Sequence, residues 1–156
     1  MSDTFMQQIE LHPFLHGLPP AYVKQLEGCG FPSHFDPGEQ IFDEGGSADR
    51  FFLLRDGFVA LETAVPGRGL VVVETVGGGQ VLGWSWLVPP HRWHFGARAL
   101  ERSHTIAFTA DSVLELCEGD PAFGYELMRR FAAVMVDRLQ ATRRRMLDLY
   151  GEATRG

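Results

Sequence analysis

Apolar residues change their spacing twice along the chain. From Thr4 to about Gly30 they recur at helical intervals. Phe5, Ile9, Leu11, Phe14 and Leu15 precede the break at Pro19-Pro20, and Ala21, Val23, Leu26 and Cys29 follow it, with Gly28 and Gly30 closing the segment. From Phe31 to about Leu116 the apolar runs are short. Phe35, Ile41-Phe42, Phe51 to Leu54, Phe58 to Leu61, Leu70 to Val73, Val81-Leu82, Ala97 to Leu100 and Thr105 to Phe108 read as strands. Asp36-Pro37-Gly38, Glu44-Gly45-Gly46, Asp56-Gly57, Pro66-Gly67 and Gly77-Gly78-Gly79 stand between them as turns. Eight short runs so spaced predict a closed or nearly closed antiparallel barrel.

Helical spacing returns from about Asp111 to Leu149. Asp111 or Ser112 is expected to cap a short helix bearing Val113, Leu114 and Leu116. Asp120-Pro121 then reads as an N-cap with proline in the first turn. Phe123, Leu127, Phe131, Val134, Met135, Leu139 and Met146 mark the apolar stripe of the helix that follows. About thirty residues make a helix about 45 Å long, more than a small barrel can cover. Its distal half is therefore expected to pack on another chain.

Composition narrows the function. At 156 residues the chain is expected to be one domain, with 18 Gly and 9 Pro falling mostly in its first two thirds, as short strands joined by turns require. A net charge of -6 disfavours a broad nucleic-acid face. Arg143, Arg144 and Arg145 form a local basic run, either a solvated helix face or a small phosphate or partner site. The two cysteines, Cys29 and Cys117, form no CxxC, so no thiolate zinc site or disulfide framework is read from them. No apolar run approaches the length of a membrane span and no signal peptide is visible, so a soluble, cytoplasmic protein is expected. No nucleophile–base constellation is visible either. Ser85 lacks a GxSxG elbow, and Gly77-Gly78-Gly79 lacks the Lys and Ser/Thr of an NTPase loop. The chain is not expected to be an enzyme.

The stretch from Phe35 to Gly45 (Phe-Asp-Pro-Gly-Glu-Gln-Ile-Phe-Asp-Glu-Gly) and its continuation from Ala48 to Leu61 resemble the opening of cyclic-nucleotide-binding domains. Glycines agree at turns and apolar pairs at strands, and the likeness runs from about His12 to Leu149. Asp137-Arg138-Leu139-Gln140-Ala141-Thr142 is similar to the subunit-pairing stretch of the long helix in the Crp/Fnr-like, catabolite-activator branch. The resemblance implies an eight-stranded β-roll of the jelly-roll type spanning 31–116, with N-terminal helices over 4–30 and a long C-terminal helix over 120–149, the whole domain covering 4–149. It also implies a homodimer through that helix. The helix-turn-helix of that branch does not follow here, so direct DNA binding by this chain is not expected.

In that family a glycine and backbone N–H groups at a helix start hold the cyclic phosphate, an arginine neutralises it, and a glutamate after the glycine takes the ribose hydroxyl. The resemblance puts Gly83 at the phosphate glycine, with the amides of Trp84, Ser85 and Trp86 beside it. Trp84 stands where the glutamate belongs. Arg92 lies near the phosphate arginine, but counting back from Ala99 without a gap places Trp93 there. Trp93 and His94 complete the loop, and Thr142 and Arg143 lie where the long helix contacts the base. Cyclic AMP, cyclic GMP, or another phosphate-bearing or aromatic small molecule is the expected ligand, with no certain cofactor. Loss of the glutamate is worth about 1.5–3 kcal/mol, ten- to hundredfold in affinity for a cyclic nucleotide. Two other readings stay open. In one, Trp84, Trp86 and Trp93 fill the cavity and leave a ligand-free dimerisation module. In the other, His91, His94 or Cys29 is the axial ligand of a haem.

Overall fold

A computed structural model describes residues 4–155, with side chains described as far as Gly151. Helix α1 (Phe5–Leu11), a 3-10 turn (Pro13–Leu15) and α2 (Pro20–Glu27) come first. Eight strands follow: β1 (Gly30–Phe35), β2 (Gln40–Phe42), β3 (Arg50–Asp56), β4 (Phe58–Val65), β5 (Gly69–Gly77), β6 (Val81–Leu82), β7 (Gly96–Ala99) and β8 (Ser103–Thr109). Helices α3 (Ala110–Gly119) and α4 (Pro121–Arg155) end the fold. The strands form two antiparallel four-stranded sheets, β1-β8-β3-β6 and β2-β7-β4-β5. This is the β-roll with flanking helices that the sequence predicts.

Strand alternation explains the two cores. On β3, Phe51 and Leu53 face the helices while Phe52 and Leu54 face the interior of the roll. On β8, Ile106 and Phe108 join the helical core and Ala107 the roll. A sheet covered on both faces needs unbroken apolar runs, which Phe51 to Leu54 supplies. Strand β1 pairs with β8 over its whole length and forms a sheet edge, where Pro32 is tolerated. Its mixed apolar and polar run reads in the sequence as little more than Phe35.

Helix α3 starts at Ala110, with no side-chain cap from Thr109, rather than behind a cap at Asp111 or Ser112. The Ala110 N–H donates to the Asp49 carbonyl at 2.9 Å, and Ala110 is buried, so β8 passes straight into the helix. Asp120 does cap α4: its Oδ1 accepts the Phe123 N–H at 3.2 Å. The root of α4 is anchored by the buried side chains of Phe123, Leu127 and Phe131. Arg130 ties it to the N-terminal segment by donating to the Phe14 carbonyl at 2.8 Å. Farther along, Leu139, Leu149 and Tyr150 are each more than 65 % exposed. Among the described residues no helix is long and apolar enough to cross a membrane.

Candidate functional site

The segment after β6 decides what the site can hold. Gly83 follows β6 with φ +94°, a conformation that favours glycine. Next comes a 3-10 turn of only three residues, Ser85–Leu87, too short to present the aligned amides of a helix start. The chain then runs to His91–Trp93, which pairs with the turn after β2. The Ala48 N–H donates to the His91 carbonyl at 2.7 Å, the Trp93 N–H to Gly46 at 2.9 Å, and the Gly45 N–H to Trp93 at 2.8 Å. Ser47 and Arg92 face each other in an antiparallel bridge. Extended pairing sends successive side chains to opposite faces. Trp93 therefore points inward, and Arg92 points outward to the Gly45 carbonyl at 3.0 Å.

The inward indole fills the place that the resemblance assigns to a cyclic phosphate. Trp93 stacks on Phe42 with ring centroids 3.8 Å apart and is 5 % exposed. A Cβ added to Gly83 would lie 2.8 Å from Trp93 Cζ3. What remains between Gly83, Ser85, Trp93 and Arg138 is a hollow of about 20 Å³, near the least that holds one water. Trp84 stacks on the His94 ring at 4.7 Å, and Ser85 Oγ shares a 2.8 Å hydrogen bond with His94 Nδ1. Trp86 leaves the site altogether. It is buried in the helical core, stacked on Phe51 at 5.0 Å and edge-on to Phe131 at 5.3 Å.

A second hollow opens beside the first, between the roll and α4. It measures about 620 Å³, within the range of small-molecule sites. Leu61, Val73, Glu74, Trp84 and Phe95 form its roll side, and Met135, Arg138, Leu139, Thr142, Arg145, Met146 and Leu149 its helix side. Of the residues singled out in the sequence, Trp84 and Thr142 line this groove. Gly83, Ser85, Trp93 and His94 surround the small hollow. Trp86 and Arg92 lie in neither, and Arg143 is exposed on α4 without lining the groove.

Two arginines outside the ligand set expected from the sequence reach into the structure here. Arg138 donates to the Val81 carbonyl, and Arg145 to the Val73 carbonyl. Burial pulls the Arg138 pKa below its ordinary value, and Glu74 partly offsets this. Helical phase carried the signal. Phe131, Val134, Arg138, Thr142, Arg145 and Leu149 continue one face of α4 at three- and four-residue steps from its buried root.

His91 Nδ1 bonds the Trp86 carbonyl at 3.0 Å, His94 is engaged by Ser85 and Trp84, and Cys29 lies against Gln25 in the helical layer. The three do not converge. Among the described residues no group of three His, Cys, Asp or Glu is placed to hold a metal ion.

A family model described as cyclic nucleotide-binding domain matches residues 32–120. Among solved structures, a cyclic nucleotide-binding domain from Methylobacillus flagellatus KT superposes with a TM-score of 0.82 at 17% identity, covering 92% of this chain and 83% of that one. A candidate cyclic nucleotide-binding protein from Geobacter metallireducens GS-15 gives 0.78 at 26% identity, over 88% and 99%. The catabolite activator protein of Thermus thermophilus gives 0.69 at 24% identity, over 89% of this chain and 63% of that one. No curated protein sequence matches.

Proposed function

Since the chain belongs to the cyclic nucleotide-binding domain family, with a family model that spans more than half of it, we propose that it is a ligand-sensing regulatory module whose ligand sits in the groove under α4. The ligand is not a cyclic nucleotide held in the family's manner. One observation carries this reading: Trp93 occupies the space beside Gly83, while the groove next to it stays open. A cyclic phosphate would have to displace a buried indole and would meet neither Arg92, which points outward, nor the glutamate replaced by Trp84.

Signalling follows from the anchoring of α4. Its root is fixed in the core, and its distal half leans over the groove with exposed apolar residues. A ligand that touches both roll and helix favours one position of that distal half over others. The exposed residues Val136, Leu147 and Tyr150 lie on another face and suit pairing with a second copy of α4. We place this cytoplasmic homodimer upstream of a protein partner and assign it no catalytic role.

The test is hydrogen–deuterium exchange on the full chain, with cyclic AMP, cyclic GMP and the fluorescent aryl anion anilinonaphthalene sulfonate as probes. Exchange across Met135–Leu149 is expected to slow with the aryl probe, and Thr142→Trp, which fills the groove from its exposed side, is expected to remove the effect. Strong protection of Gly83–His94 by either cyclic nucleotide overturns the reading, as does an α4 indifferent to all three.

A further inference from the structure

Arg138 occupies an unusual position. It borders three hollows: the small one by Trp93, the groove, and a third of about 230 Å³ against Pro13, Phe14 and Gln80. It is only partly exposed, and among the described residues its guanidinium donates to a neutral carbonyl, that of Val81. None of the ion pairs among the described residues includes it. A guanidinium has five N–H donors and stays charged. Glu74 in the same groove offsets part of the cost of holding it against apolar walls but does not pair with it, so donors remain for a further counter-charge.

We propose that the groove takes an apolar monocarboxylate, with its carboxylate on Arg138 and its hydrocarbon or aryl body along Trp84, Phe95, Leu139 and Met146. This rests on the groove being the ligand's seat. Three features select that chemistry. The planar guanidinium fork matches a carboxylate with two parallel N–H···O bonds. Glu74 lies in the same wall and repels a second negative charge, so a monoanion fits and a phosphate dianion does not. The remaining walls are apolar side chains of both roll and helix, which reward an apolar body rather than a sugar. Arg145, bonded to the Val73 carbonyl at the mouth, adds positive potential that draws an anion in.

Titration calorimetry with dodecanoate and dodecanol separates the parts of this proposal. The acid is expected to bind one per chain, about tenfold or more tighter than the alcohol, the weight of one charge-assisted contact. Arg138→Met should bring the acid down to the level of the alcohol and leave the alcohol unchanged. Arg138→Lys, which keeps the charge and loses the fork, should fall between and guards against a folding defect in the methionine variant. Equal binding of acid and alcohol to the wild type overturns the carboxylate assignment while leaving the groove as a seat. If neither binds, and Thr142→Trp splits a dimer seen by native mass spectrometry, the groove belongs to a second copy of the chain and both readings fall.

Discussion

The hollow under Trp93 and the groove under α4 share Leu61, Trp84, Phe95 and Arg138, yet one holds about 20 Å³ and the other about 620 Å³. The first is walled, Arg138 apart, by the roll and the loop between β6 and β7. Trp93 lies on Phe42, and three backbone hydrogen bonds between residues 45–48 and 91–93 fix the register that points it inward. The second is walled on one side by a helix packed into the core at its root and joined to the roll farther along by the side chains of Arg138 and Arg145. A ring locked by strand pairing closes space, and a helix that stands off the roll on long side chains leaves space to be filled. Space can thus be closed beside Gly83 and stay open between the roll and α4, so the glycine alone does not decide what the fold could hold.

The comparison is broken most directly at Trp93. Trp93→Ala removes a buried ring from its stack on Phe42 and should cost about 3–5 kcal/mol of unfolding free energy. Urea unfolding followed by circular dichroism gives that number. A loss under 1 kcal/mol would mean that the indole does not close the hollow.

Gly83→Ala tests the same closure from the other wall. The backbone at φ +94° and a Cβ 2.8 Å from the Trp93 ring both oppose the substitution. The expected loss is about 2–3 kcal/mol, from a strained backbone together with overpacking. In a Trp93→Ala background the overpacking vanishes, and the loss should shrink by about 1 kcal/mol or more. Strict additivity of the two substitutions would contradict the contact.

Much of this architecture was written in the pattern of residues. The unbroken run Phe51 to Leu54 marks a strand buried on both faces. Gly38, Gly45, Gly57 and Gly67, each at positive φ, stand at the turns the sequence suggested. Asp120-Pro121 marks the start of α4. The orientation of the 91–93 segment was harder to read, because Arg92 and Trp93 differ by one residue and their facing is set by pairing with residues more than forty positions earlier. Counting back from Ala99 puts Trp93 in register, whereas a phosphate's need for a guanidinium points to Arg92. The groove was hidden for another reason. It exists only where β4, β5, the loop before β7 and α4 meet, and no local motif encodes such a meeting.

The groove should also differ from the rest of the fold in its response to acid. His12 lies away from it, buried beneath the turn after α1. Its Nε2 donates to the Leu54 carbonyl at 2.9 Å, while its Nδ1 accepts the Phe14 N–H at 3.2 Å. That pairing requires the neutral ring. Desolvation is the main cause that lowers its pKa below 6.5, with Arg55 adding to it and the Leu54 bond opposing it. The unfolded chain therefore binds the proton more readily than the folded one, and stability falls as pH drops through about 6.5 toward the folded value. His12→Asn keeps a donor and an acceptor but does not titrate, and should flatten this slope in urea midpoints measured from neutral to acid pH. An unchanged slope would place the acid sensitivity in another group. Binding of the aryl probe in the groove should not follow the His12 titration, because no histidine lines the groove.

The smallest expected effect belongs to the residue whose type most suggests a ligand role. Arg92 is exposed and gives one hydrogen bond, to the Gly45 carbonyl, from the outer face of the paired loop. Exposed contacts of this kind contribute little, and Arg92→Ala should change stability by about 0.5 kcal/mol or less. Dodecanoate binding should be untouched, since the side chain lines neither the small hollow nor the groove. Should Arg92→Ala weaken that binding tenfold while Arg138→Met leaves it intact, the loop must turn over in solution. Arg92 would then take the inward place of Trp93, and the closed hollow, not the open groove, would be where the anion is read.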